Sequence, residues 1–287
     1  MHEKQSNTND TIRFHITEEE QNALRCFAEK EIKAHGYVSF VDFPLDAIIE
    51  HNYGVSRAAI HDEVYDICLM ECYDRHGKII TSKGDKTNAL AIMAGHCHSL
   101  DRCSLKDLLD LEREITGESH RWIPMQAGYS VMVRIDKDTF VADRFIHFDT
   151  TEIDDAIERF MDSVEYLPLK SVTTFVMFPN CGHAWNLFLL ESYLFRFSGL
   201  FRYKVGALNS RNAGVIIRKD SPLVKASHAT FNKDYDRILV DAIANSDIDL
   251  EENPVLRFLF EEGYIGKRGK PNIRELLIQA NSLRERG

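Results

Sequence analysis

The chain has 287 residues, 44% of them hydrophobic and 28% charged, and a formal net charge of −10. That composition excludes a disordered chain, and the length points to two or more compact units with separate cores. The negative balance excludes a protein that coats nucleic acid or acidic membrane with its whole surface.

No run of about 18 apolar residues occurs, and the N-terminus (MHEKQSNTND) is polar where a secretory signal needs an apolar core. Six cysteines scattered through a chain of this size suit reduced thiols better than a disulfide framework, so a cytoplasmic protein without a membrane partner is expected.

Residues 1–12 are polar and without periodicity, and a flexible N-terminus is expected over 1–16. Thr17, followed by Glu18, Glu19 and Glu20, reads as a helix N-cap with acids facing the positive end of the helix dipole. The helix runs to about Ala34 and stops at His35-Gly36. A β-like run from Tyr37 to Val41 follows, then a helix opened by Pro44, then one capped by Ser56. The spacing of Ala59, Ile60, Val64, Ile67, Leu69 and Tyr73 carries this third helix towards Gly77, before a strand at Lys78–Thr81.

The same order recurs. Helices are predicted over Thr87–His98, from Ser104 through SLKDLLDLEREITG, and around Trp122, Met125, Tyr129, Met132 and Val133, then a hairpin over Thr139–Phe148 with its tip at Ala142-Asp143-Arg144. A third pass begins with the helix TEIDDAIERFMDS. LKSVTTFVMF is divided between helix and strand by its β-branched residues, AWNLFLLESYLFRFSG is a helix, and FRYKVGALNSRNAGVIIRK is a two-stranded wing turning at Asn209-Ser210-Arg211-Asn212. Three further helices are expected at Tyr235–Ala244, Pro254–Glu262 and Asn272–Arg284.

Helix, short strand, helix, glycine turn, longer helix and strand is the order of a winged helix-turn-helix. Over residues 17–219 the pattern resembles the winged-helix superfamily, without residue identity between copies. The resemblance implies an α+β, mostly helical fold of tandem units at 17–84, 85–149 and 150–220, followed by a helical segment at 221–287. It carries no catalytic residues.

Charge is uneven: −9 over residues 1–150, −5 over 151–195, +6 over 196–225 and −2 over 226–287. The basic stretch makes DNA, or RNA, the expected partner. Arg196, Arg202, Lys204, Arg211, Arg218 and Lys219 would hold phosphates, while Asn209 and Asn212 would join Arg211 at the wing tip. The helix before the wing is apolar around nearly its whole circumference, however, and the third helix of the first unit carries Asp62, Glu63, Asp66, Glu71 and Asp74, which repel phosphate. The acidic units therefore suit contact with protein partners or a second copy. The competing reading is a structural subunit without a DNA site, resembling the acidic tandem winged-helix proteins that clamp coiled-coil chromosome-organising ATPases.

Chemistry is less well signalled. Cys68, Cys72 and His76 share a helical spacing, and His96, Cys97, His98 and Cys103 cluster, but the paired C-x-x-C of a zinc site is missing, so no metal is expected. Cys181 and His183 are too close in sequence for a nucleophile and its base, and no glycine-rich phosphate loop occurs. Acidic pairs at Asp154-Asp155 and Glu251-Glu252 read as helix-dipole complements, with a divergent nuclease as the remaining catalytic alternative. No catalytic residue and no cofactor is expected.

Overall fold

A computed structural model describes residues 14–120, 122–206, 212–223, 235–267 and 271–286. By internal contacts the chain divides into two compact units, one of residues 1–92 with 112–119 and one of residues 93–111 with 120–287.

The first unit opens with α1 (Glu18–His35), whose start is a capping box: the Thr17 hydroxyl accepts from the Glu20 N–H, and the Glu20 carboxylate accepts from the Thr17 N–H. Gly36 closes it in the left-handed region. Then come β1 (Tyr37–Ser39), α2 (Asp46–His51) and α3 (Arg57–Val64), which Ser56 caps. The helix ends in one π-turn over Tyr65–Leu69, and the chain folds back as the hairpin β2 (Tyr73–His76) and β3 (Ile79–Ser82).

The expected helix through Tyr73 is thus corrected. Asp74 accepts from Lys83 Nζ at 3.1 Å and from the Gly84 N–H at 2.7 Å, which holds its segment as a strand. Gly77, at φ 69°, makes a two-residue hairpin turn rather than a helix stop. The sheet order is β1-β3-β2. Its core joins Leu24, Ala28 and Ile32 of α1 to Ile48, Ile60, Val64 and Ile80.

Next in the chain are α4 (Ala89–Ser99), β4 (Arg102–Ser104), α5 (Leu105–Thr116), α6 (Trp122–Val131), β5 (Met132–Arg134) and β6 (Thr139–Ala142), with strand order β4-β6-β5. Pro124 is tolerated because it sits in the first turn of α6, where its missing N–H removes no helical bond. The hairpin lies several residues earlier than the expected one. Its tip is 135–138, where the Asp136 carboxylate accepts from the N–H groups of Asp138 and Thr139. Asp143–Phe145 is a 3-10 turn rather than the tip.

The order then recurs as α7 (Thr150–Met161), β7 (Tyr166–Pro168), α8 (Leu187–Arg196), β8 (Phe201–Lys204) and β9 (Val215–Arg218), with strand order β7-β9-β8. Between β7 and α8 the chain is neither the helix nor the strand expected of LKSVTTFVMF. After a 3-10 turn at Leu169–Ser171 it is irregular, held by Phe175 and Phe178 against Trp185 at centroid distances of 6.2 and 4.9 Å.

The C-terminal helices α9 (Tyr235–Ala244), α10 (Glu252–Glu261) and α11 (Ile273–Arg284) fall where the sequence places them. Their core (Ile238, Leu239, Ile243, Val255, Leu259, Leu276 and Ala280) is continuous with Val215 and Ile217 of β9. The fold is therefore α+β and mostly helical, with three small antiparallel sheets among the described residues. Each sheet places the third strand of its group between the first and second.

Candidate interaction surfaces

The basic stretch straddles the end of α8 and the β8–β9 hairpin. Arg196 leaves the last turn of α8 and grips Asp143 with both terminal nitrogens, at 2.9 and 2.6 Å, while donating to the Met132 carbonyl at 3.0 Å. Arg218 on β9 holds Glu158 of α7 in the same two-pronged way, at 2.8 and 2.7 Å, and donates to the carbonyl of Asp162 at 3.0 Å. Bidentate pairs of this kind satisfy the guanidinium fork that phosphate would otherwise occupy. Hydrogen bonding to Arg218 also holds the Glu158 carboxyl below its ordinary value, so the pair stays charged near neutrality.

Lys219 donates to the Ser198 carbonyl at 2.5 Å. Lys204 is only 1% exposed, and Arg202 is half-buried. Asn212 adopts φ 52°, a left-handed conformation that asparagine tolerates better than most residues, and its Oδ1 is buried. Asn209 and Arg211 lie outside the described residues. The structure thus ties Arg196, Arg218 and Lys219 to internal acceptors and buries Lys204, so among the described residues fewer cations of this stretch face solvent unengaged than the composition suggests.

At the base of the hairpin lies a buried polar network that sequence reasoning missed. Glu191 of α8 is 3% exposed among apolar neighbours. It accepts from Tyr129 Oη at 2.6 Å and Tyr203 Oη at 3.3 Å, and Arg134 Nη1 stands 3.6 Å away. Burial pushes the Glu191 carboxyl up to about 7, against the opposing pull of Arg134, the two tyrosines and the Asn212 N–H. Arg134, also 3% exposed, lies 4.3 Å from the Phe188 ring centroid and donates to Tyr129 Oη and to the carbonyls of Asp136 and Lys137. Only the oddity of one acid within LFLLESYLF hinted at this.

A second missed residue is Asp154. The dipole explanation is corrected for it, because it sits in the body of α7, buried, rather than in the first turn. Its carboxylate accepts from Tyr193 Oη, Ser198 Oγ and the N–H groups of Gly199 and Leu200, at 2.6–3.1 Å, and so pins the turn between α8 and β8. Glu251 and Glu252 do lie at the N-terminus of α10.

The cysteines do not converge as helical spacing suggested. Cys68 is buried in the π-turn, Cys72 is exposed beyond it and His76 is on β2, so no single helix face carries all three. Cys97 and Cys103 are buried on α4 and β4. Among the described residues no group of three or more His, Cys, Asp or Glu is arranged to hold a metal ion. Cys181 is buried, its thiol is pushed up by that burial, and its sulfur lies near the His183 carbonyl, at 3.5 Å, rather than beside the imidazole. Among the described residues no helix is long and apolar enough to cross a membrane.

In the first unit the outward face of α3 and its π-turn carries Asp62, Glu63, Asp66 and Glu71 around two exposed apolar side chains, Ile67 at 39% and Met70 at 49%. Asp62 pairs with Arg75 at 2.8 Å. Among the described residues Glu63, Asp66 and Glu71 form no ion pair.

Comparison with known proteins gave no match to a family model, a curated protein or a solved structure.

Proposed function

We propose that this chain is a non-enzymatic scaffold subunit of a larger protein assembly, built from three winged-helix-like units and a helical C-terminal segment. The threefold recurrence of helix, strand, helical or irregular link, helix and hairpin, with the hairpin's second strand central in each sheet, supports the tandem reading. The observation that carries the scaffold role is the state of the basic stretch. Arg196, Arg218 and Lys219 are bound to acceptors of their own chain, and Lys204 is buried. Phosphate binding would have to break those pairs before it gained anything.

The helix preceding the wing supports the same reading. Leu189 to Leu194 of α8 are all buried, which leaves that stretch no side chains to present to base edges. An acidic protein that pairs Arg196 and Arg218 with carboxylates of its own chain is suited to protein partners rather than to a polyanion.

The test is affinity purification of the tagged chain from its native host, with and without nuclease, followed by mass measurement of the complexes. A stoichiometric protein partner that survives nuclease is the expected result. Loss of every partner on nuclease treatment, together with salt-dependent duplex binding by the purified chain, would restore the DNA-binding reading of the wing.

A further inference from the structure

Helix α3 buries Ile60 and Val64 on one side, and an uninterrupted α-helical continuation would turn Ile67 and Cys68 inward. The π-turn closes instead with the Met70 N–H donating to the Tyr65 carbonyl at 2.8 Å, which places one extra residue in the turn. Cys68 and Leu69 then fill the core, and Ile67 and Met70 are delivered to the surface. Arg25 of α1 steadies this geometry by donating to the carbonyls of Cys68 and Ile67, at 3.0 and 3.4 Å. Two apolar side chains are thus held outward by a helix irregularity, beside three carboxylates that form no ion pair among the described residues.

Resting on the scaffold reading above, we infer that the outward face of α3 and its π-turn, centred on Ile67 and Met70 and flanked by Glu63, Asp66 and Glu71, docks a cationic amphipathic helix of a partner protein. Apolar side chains of that helix would cover Ile67 and Met70 while its Lys and Arg residues meet the carboxylates, the pattern of a helix laid along an apolar strip. A nucleic acid does not fit, because its phosphates would face three unneutralised carboxylates. Nor does the basic stretch of a second copy, since Arg196 and Arg218 are occupied by Asp143 and Glu158.

The experiment uses the full chain and a synthetic helix of about 18 residues, Leu on one face and Lys on the other, followed by fluorescence anisotropy. A counterpart with Glu in place of Lys serves as the charge control. The Leu/Lys helix should bind in low salt and the Leu/Glu helix should not. Ile67→Asp with Met70→Asp should weaken binding at least ~10-fold, the loss typical of removing a central apolar anchor.

Changing Glu63, Asp66 and Glu71 to Lys should weaken binding and flatten its salt dependence, and the milder Glu63→Gln, Asp66→Asn, Glu71→Gln set should fall between. Changing the exposed Asp155, Asp247 and Glu261 to Lys alters net charge equally and should leave affinity within about 2-fold if the site is local. Absence of binding to the Leu/Lys helix, equal binding by the parent and the variant carrying Ile67→Asp with Met70→Asp, or an equal loss in the distant set would each overturn the inference. The scaffold reading stands or falls separately, on the nuclease-treated purification, which uses no peptide.

Discussion

Arg134 and Glu191 are both 3% exposed, so neither charge can be rehydrated without opening the core. Replacing Arg134 with Met removes the guanidinium 3.6 Å from Glu191 and strips donors from the Asp136 and Lys137 carbonyls. Above about pH 7, where Glu191 is ionised beside Arg134, breaking the buried pair from one side costs about 3–5 kcal/mol, because the carboxylate left behind must stay uncompensated or take up a proton. Glu191→Leu should cost a similar amount, leaving the guanidinium without its carboxylate beside Tyr129 and Phe188. The double variant should recover at least about 1 kcal/mol of the summed loss, since it buries no orphan charge.

Urea unfolding measures these values, and pH adds a second readout. The Glu191 carboxyl titrates near 7 when folded and at its ordinary value, 4.5, when unfolded. The folded chain therefore holds a proton that the unfolded chain has released. The stability so contributed is fully present below pH 4.5 and is lost as pH rises towards about 7, an amount on the order of 3 kcal/mol. Glu191→Gln should remove that decline. Single variants costing under about 1 kcal/mol, strict additivity in the double variant, or an unchanged pH profile in Glu191→Gln would refute the reasoning.

Asp154→Ala should lower stability by about 1–3 kcal/mol, since it removes the acceptor of the buried Ser198 hydroxyl and of two N–H groups at the turn after α8 while the Tyr193 hydroxyl keeps the Thr150 carbonyl, and thermal unfolding will read it. Gly214 sits at φ 133°, with an added Cβ only 2.6 Å from the Lys204 carbonyl oxygen, so Gly214→Ala should cost more than about 2 kcal/mol in chemical denaturation. Gly95 in α4 has open space around it, and Gly95→Ala should instead stabilise by up to about 1 kcal/mol. Asp143→Asn with Glu158→Gln should release Arg196 and Arg218 from their pairs and raise retention on a heparin column. Each newly freed phosphate contact should steepen the slope of log K against log salt by about 0.9, and unchanged retention would mean that the pairs do not mask these arginines.

Where neighbouring residues decide the structure, the sequence is legible. Thr17 and Glu20 form their capping box within four residues, Gly36 ends the helix they start, and the apolar spacing of the last three helices needs no distant partner. The errors lie where a remote strand decides. Tyr73 keeps helical spacing with Leu69, yet its backbone pairs with Ser82 across a turn that Gly77 permits. Met132 and Val133 likewise leave a helical stripe because Ala142 and Val141 offer a strand to join. Even a β-branched run such as Val172-Thr173-Thr174 stays irregular when the aromatics that follow it find Trp185 instead. Propensity is a weak local preference, and a cross-strand or aromatic contact outweighs it.

The site divides along the same line. A run of cations without an acid is visible in the sequence, but its meaning depends on which carboxylates the fold brings to it, and Asp143 and Glu158 lie 53 and 60 residues away. Residue counts give +6 for that stretch, while the geometry pairs two of its cations, ties a third to a carbonyl and buries a fourth. On α3 the opposite occurs. Its acids are as visible in the sequence as the basic run, and the fold leaves three of them without an ion pair among the described residues while a π-turn pushes Ile67 and Met70 out beside them. An interaction surface is built from charges left over after folding has used the rest, and among the described residues Glu63, Asp66 and Glu71 keep the charge that Arg196 and Arg218 have spent on Asp143 and Glu158.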